Sequence, residues 1–305
     1  MNEEIATNLI IKILRKIIPP HLRPVVKKLI PGYQARSVSK ILKSWNRTDP
    51  SNWPLAELCE KQSLEKYEYS LFSQNGEDGI LRYLFSEIGF RSKLFLEFGF
   101  GVSENNSFRL VLSEGFGGMF IDGSASTVRL FNSAARKFGL TNVKAIHIFL
   151  NLGNLEAALL GSGLPEDIDL LSIDVDGNDY WFWEGISCIN PRVVIIEYNA
   201  SLGSELSLTV PYDPFFDRHE KHASGFYSGA SITALVRLGK KKGYVLVACD
   251  SNGLNAFFVR RDCLTQSMNV LSSRAAYRPH RRRLERGFSL EDQCSLIKDM
   301  PYIEI

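Results

Sequence analysis

Through the middle of the chain, short apolar runs alternate with helix-like stretches, and most of the runs end on a carboxylate or a glycine. Leu94-Phe95-Leu96-Glu97-Phe98, Gly118-Met119-Phe120-Ile121-Asp122, Asn142 to Leu150, Ile168 to Asp174 and Arg192 to Asn199 are of this kind. Continuous apolar runs of this length suit strands buried on both faces of a parallel sheet, with helices over each face. Ile80, Leu81, Leu84, Phe85 and Ile88 recur at helical spacing, and the stretches around Leu110, from Val128 to Phe138 and around Leu235 are further predicted helices. Two late runs, Gly243 to Cys249 and Asn255 to Arg260, flank Asp250-Ser251-Asn252-Gly253 and predict an antiparallel hairpin.

The ends of the chain differ from its middle. Leu9, Ile10, Ile13, Leu14, Ile17 and Ile18 form a helical stripe with Lys12, Arg15 and Lys16 between them, and Pro19-Pro20 ends it. A second basic segment runs from His21 to Ile30. Residues 5–30 thus suit peripheral contact with an anionic membrane, while docking on the protein itself or on a second subunit is the alternative. Asp49 to Pro54 reads as a linker, so three regions are expected: a helical extension over 1–54, a main domain over 55–263 and a basic extension over 264–305. The last carries Arg274, Arg278, Arg281, Arg282, Arg283 and Arg286, which suit a phosphorylated glycan carrier or nucleic acid, or else a solvated helix face or a subunit contact.

Composition narrows the function classes. A net charge of +2 argues against a general nucleic-acid binder, and 45% hydrophobic residues supply a substantial core. The five cysteines are odd in number, widely spaced and without a CxxC pair, so neither a disulfide framework nor a zinc finger is indicated, and a reducing cytoplasm fits. No apolar run is long enough to span a bilayer, and the acidic start Met1-Asn2-Glu3-Glu4 is unlike a secretory signal, so the mature chain is expected to begin near Met1.

The strand ends carry the candidate chemistry. After Glu97 comes the turn Gly99-Phe100-Gly101, where glycines let the backbone approach a ligand. The dinucleotide fingerprint needs a third glycine where Glu104 stands, and a carboxylate there repels a pyrophosphate. S-adenosylmethionine, with an ammonium and a sulfonium, tolerates these acids. Asp122, at the end of the next strand, is placed to accept the ribose hydroxyls, or else to cap the following helix. Ser73-Gln74-Asn75-Gly76-Glu77-Asp78 precedes a helix and reads either as its cap or as a wall of the ligand site.

Taken in order, Ser73-Gln74-Asn75-Gly76-Glu77-Asp78, Leu96-Glu97-Phe98-Gly99-Phe100-Gly101, Phe120-Ile121-Asp122-Gly123 and Ile173-Asp174-Val175-Asp176-Gly177 resemble the FkbM-type branch of the class I S-adenosylmethionine (SAM)-dependent methyltransferases. The resemblance runs from about Tyr69 to Arg261. It implies a Rossmann-like, seven-stranded, mostly parallel sheet closed by the C-terminal hairpin, with SAM as cofactor. It also implies methyl transfer to a hydroxyl of a carbohydrate or related metabolite, a small molecule or a glycan.

On that resemblance Glu97, Gly99, Gly101 and Asp122 hold SAM, with Asn151 or Asn154 at the adenine. Asp174, Asp176, Glu197 and Asn199 converge near the acceptor if their strands are neighbours. They then either hold Mg²⁺ through Asp174, Glu197 and Asn199 or act without metal, one carboxylate being the base. The long stretch from Ser204 to Tyr227 reads as a lid in which His219 is available as a base, or as an exposed polar segment. His147, in an apolar strand, is expected in the core. The rival readings are a nucleotide-dependent oxidoreductase, disfavoured by Glu104 and the hairpin, a SAM-binding docking protein without catalysis, and a nucleic-acid methylase, which lacks its Asn/Asp-Pro-Pro-Tyr motif here.

Overall fold

A computed structural model describes residues 64–305. The expected N-terminal helices, the linker at Asp49 to Pro54 and Cys59 lie outside the described residues. Five strands come first: β1 (Leu94–Phe98), β2 (Gly117–Asp122), β3 (Val143–His147), β4 (Leu170–Ile173) and β5 (Val193–Glu197). They pair in parallel, and each crossover carries a helix or, from β3 to β4, the short α4. The helices are α1 (Glu77–Ile88), α2 (Phe108–Glu114), α3 (Ala125–Phe138), α4 (Leu155–Leu160) and α5 (Asp179–Gly185).

Beyond β5 come the two-residue strand β6 (Leu208–Thr209), the single turn α6 (Arg218–Lys221) and the helix α7 (Ile232–Lys241). The predicted hairpin is then present as β7 (Tyr244–Cys249) and β8 (Asn255–Arg260). The sheet order is β3-β2-β1-β4-β5-β8-β7, with β8 antiparallel to both neighbours. This is a Rossmann-like sheet with a terminal antiparallel hairpin. Strand order reverses between β1 and β4, so the loops after these strands part and leave a crevice at their carboxyl ends.

Burial explains the run-like sequence pattern. Val193, Val194, Ile195 and Ile196 of β5 are fully buried, as are Leu170, Leu171 and Ile173 of β4, because helices cover both faces. The aromatic start of α5 is mostly core: Trp183 packs on Phe258 with ring centroids 4.8 Å apart and on Tyr244 at 5.8 Å. Burying a side chain of this size contributes roughly 1.5–3 kcal/mol. The helix ends follow local chemistry. Ser124 Oγ accepts from the Thr127 amide and Ser231 Oγ from the Ala234 amide, which caps α3 and α7.

Two expectations change. β3 is the sheet's edge, so His147 is exposed rather than in the core, with Nε2 3.0 Å from the Gly123 carbonyl oxygen. Residues 264–305 are stitched into the domain through α8 (Ser273–Ala276), α9 (Arg281–Glu285), α10 (Leu290–Ile297) and β9 (Ile303–Glu304), which pairs with β6. The arginine cluster is split accordingly. Arg283 is buried, Arg278 pairs with Glu65, and Arg281 pairs with Glu285, while Arg274, Arg282 and Arg286 are exposed. Among the described residues no helix is long and apolar enough to cross a membrane.

Candidate functional site

The turn after β1 and the loop after β4 meet at the point of strand reversal. Gly99 has φ 68°, and a β-carbon there would lie 1.7 Å from the Asp174 carbonyl oxygen, so no other residue fits without moving the backbone. Glu97 faces inward at 2% exposure. Its two carboxylate oxygens accept from the amides of Asn106 (2.9 Å) and Ser107 (3.0 Å), which fixes the loop leading to α2. Burial pushes its pKa up to about 7 against these hydrogen bonds. Glu97 therefore lines the crevice but is engaged as a loop anchor, a role the expected direct contact with cofactor did not include.

Two clefts of about 270 and about 230 Å³ open here and share Gly99, Asp122, Asp174 and Asp176. The larger is walled by polar groups that include Gln74, Asn75, Glu77, Glu104 and Asn255. The smaller has an apolar wall of Ile148, Phe149, Leu150, Phe182, Pro214 and Phe216. Asp122 stands between them, half-buried, its carboxylate accepting from the amides of Ser124 and Phe100. Burial raises its pKa. The N-cap of α1 is Gly76, which has no side chain to cap with. Ser73 Oγ accepts from the Asp78 amide in the first turn, Asp78 Oδ2 accepts from the amides of Leu71, Phe72 and Ser73 ahead of the helix, and Gln74, Asn75 and Glu77 line the cleft.

The loop after β4 is held from within. Asp179 is buried and takes the amides of Val175 and Gly177, each at 2.9 Å, on its two oxygens. That clamp holds Asp176 in the left-handed region at φ 59°, which aspartate tolerates better than most residues. Asp176 then pairs with Arg218, Nη1 to Oδ1 at 2.7 Å, and Arg218 Nε donates to the Gly225 carbonyl. The segment carrying Arg218 is fastened over the loop as well. Trp181 Nε1 donates to the Val210 carbonyl, Asn178 Nδ2 to that of Asp213, and the Phe216 ring covers Gly177.

One ligand oxygen from each of Asp174, Asp176 and Glu197 lies within 4.8 Å of the others. Burial, then the charges of Asp179 and Asp176, push Glu197 up to about 8 against the opposing pull of Arg218 and Arg283. Asp174 is also raised well above the usual carboxylate range by the surrounding protein and by Glu197, although solvent entering the cleft reaches its side chain and moderates that push. Two acids this close disfavour each other's ionisation and titrate as a linked pair.

Three expected site residues are placed elsewhere. Asn199 is buried below the cluster, Nδ2 donating to the carbonyls of Phe226 and Ser228 while Oδ1 accepts from Ser201 N and Arg283 Nη1. With donors and acceptor so engaged it is turned away from the carboxylates it was expected to join, and the third acid beside Asp174 and Glu197 is Asp176. Asn154 closes its own turn, accepting from the Asn151 amide and donating to the Phe149 carbonyl, and it lines neither cleft. His219 is exposed with its ring against Gly225 and lines neither cleft; the single turn of α6 directs its neighbour Arg218 to the carboxylates. Sequence reasoning missed Arg218 and Asn255. Only the position of Asn255 at the start of a hairpin strand hinted at the latter.

No protein-family model matches the chain, and no curated protein matches it. Among solved structures it is similar to the N-terminal domain of EvdMO1 with S-adenosylhomocysteine (SAH) bound, at 14% identity and a TM-score of 0.40, over 73% of this chain and 96% of that one. It is also similar to the magnesium protoporphyrin IX methyltransferase of Synechocystis PCC 6803 with bound SAH, at 14% identity and a TM-score of 0.39, over 60% and 81% of the two chains. The fibrillarin pre-rRNA processing protein of Methanococcus jannaschii follows at 13% and 0.38, over 57% and 69%. Likeness at this level carries no argument about chemistry.

Proposed function

We propose that the protein is a SAM-dependent O-methyltransferase, FkbM-like in its motifs, acting on a hydroxyl of a carbohydrate or related metabolite. The observation that carries this reading is the crevice at the strand reversal, where the glycine turn at Gly99, the half-buried Asp122 and the closely spaced carboxylates of Asp174 and Glu197 adjoin one another. The part of the larger cleft lined by Glu97, Gly99, Gly101 and Glu104 suits the ammonium and sulfonium of SAM, and the apolar smaller cleft suits its adenine.

SAM supplies the electrophilic methyl group. The chain's residues do the rest: Asp122 accepts hydrogen bonds from the ribose hydroxyls, and the turn at Gly99 brings backbone close to the ligand. Glu197 in its ionised form, beside Asp174, would take the acceptor's proton as the acceptor oxygen bonds to the methyl carbon and the carbon–sulfur bond breaks towards sulfur, so the rate would rise with pH through about 8. Calorimetry with SAH tests the cofactor reading. Micromolar binding to the folded wild type, weakened at least tenfold in Asp122→Ala, is expected; no binding to the wild type sinks it.

A second reading adds Mg²⁺, favoured by the three clustered carboxylate oxygens of Asp174, Asp176 and Glu197. Arg218 already contributes a positive charge to Asp176, so the metal has a competitor in the chain itself. Loss of methyl transfer on chelation, restored by Mg²⁺, decides for the metal.

A further inference from the structure

The wall of the larger cleft formed by α1 and β8 contains a group of side chains that the methyl-transfer reading does not use. Glu77 is buried at 1% exposure, and Oε1 accepts from Asn255 Nδ2 at 2.7 Å and from Asn75 Nδ2 at 3.0 Å, while Oε2 accepts from the Asn75 amide at 2.6 Å. A carboxylate can only accept here, so its bond to Asn255 fixes which end of that amide is nitrogen. The other end, Asn255 Oδ1, is buried and has no hydrogen-bond partner among the described residues. An acceptor left orphaned is unfavourable unless something donates to it, and Asn255 is a lining residue of the larger cleft.

Register places this acceptor beside the proposed base. Glu197 and Asn255 are direct partners across β5 and β8, so their side chains project from the same face of the sheet, and both line the same cleft. Amides and carboxylates dominate that lining, and neither lysine nor arginine occurs in it. Arg218, held on Asp176, is not among the lining residues. A phosphate on the acceptor would find no basic side chain in this lining, whereas hydroxyl groups both donate to such a wall and accept from its amides.

We propose that Asn255, oriented by Glu77, is an acceptor-binding residue that receives a hydrogen bond from one hydroxyl of an uncharged polyol while a neighbouring hydroxyl faces Glu197. The methyl acceptor is then a neutral, hydroxyl-rich molecule such as an unphosphorylated sugar. The inference rests on the methyltransferase reading for the reaction, but the polyol subsite has its own readout.

Two measurements test it on the full chain. Saturation-transfer NMR with methyl glycosides of common hexoses reports binding without any methyl transfer. Signal is expected with wild type and is expected to be lost in Asn255→Ala. Labelled methyl transfer from SAM is then compared across those glycosides, hexose 6-phosphates and spermidine. Glycosides are expected to be methylated, and Asn255→Ala to raise the acceptor KM about tenfold with SAH affinity unchanged. Glu77→Gln, which frees the Asn255 amide to flip, is expected to raise KM in the same direction; circular dichroism checks that both variants fold. Absence of glycoside binding, preference for the phosphates or the amine, or an unchanged KM in both variants overturns the subsite. Glycoside binding without SAH binding would instead sink the methyl-transfer reading and leave the subsite standing.

Discussion

The Asp174 carbonyl oxygen occupies the space that a β-carbon at Gly99 would need, 1.7 Å from its position. The turn after β1 and the loop after β4 therefore close on each other with no room for a side chain. Gly99→Ala is expected to displace the Asp174 loop. The left-handed φ alone costs roughly 1–2 kcal/mol, and the clash adds to it. A lower urea midpoint together with loss of SAH affinity is the expected result, and unchanged values for both would show that the loop yields freely.

The pair formed by Asp174 and Glu197 makes the protein sensitive to pH. Glu197 rises from 4.5 to about 8 in the fold, so across that interval the native state holds a proton that the unfolded state releases. Stability from this group is greatest below pH 4.5 and declines as pH rises through about 8. Carbon-13 NMR of labelled glutamate should show a carboxyl titrating near pH 8 that is absent in Glu197→Gln. That variant should also flatten the fall in melting temperature between neutral pH and pH 8.

Arg218 joins the cluster from a different segment of the chain. Its pair with Asp176 is partly exposed, the side chains being 22% and 67% accessible, so its worth to stability is about 0–1 kcal/mol. Electrostatically it matters more, because it opposes the rise of Glu197. Arg218→Gln should leave the melting temperature nearly unchanged while moving the Glu197 titration upward. A large loss of stability with an unmoved titration would assign Arg218 to structure instead.

Asp179 is a clamp rather than a reacting group. Asp179→Ala leaves the amides of Val175 and Gly177 without their partners, a loss of about 2 kcal/mol or more if water does not replace them. Guanidinium unfolding measures that loss. Asp176 should leave its left-handed conformation at the same time, and the Arg218 pair with it.

Much of the fold was legible because its signals are local. Runs buried on both faces announced the central strands, and the Asp250 to Gly253 turn between two apolar runs announced the antiparallel hairpin that ends the sheet. Strand-end carboxylates announced Asp122, Asp174 and Glu197 for the same reason, since an acid that closes an apolar strand lies at the sheet's rim. His147 was misplaced because an edge strand and a central one differ in their neighbours, not in their own residues.

The sequence alone determined which chemical groups stand at the strand ends and where the glycine turn falls. Only the tertiary structure decided which of those groups are free. Asn199 and Asn154 are taken up by partners inside the fold, and Glu97 is held by the loop to α2. Arg218 reaches Asp176 across 42 residues, and Asn255 reaches Glu77 across 178. Residue type sets what a side chain can bond to, but packing sets which partner lies within 3 Å, and packing depends on segments far apart in the chain.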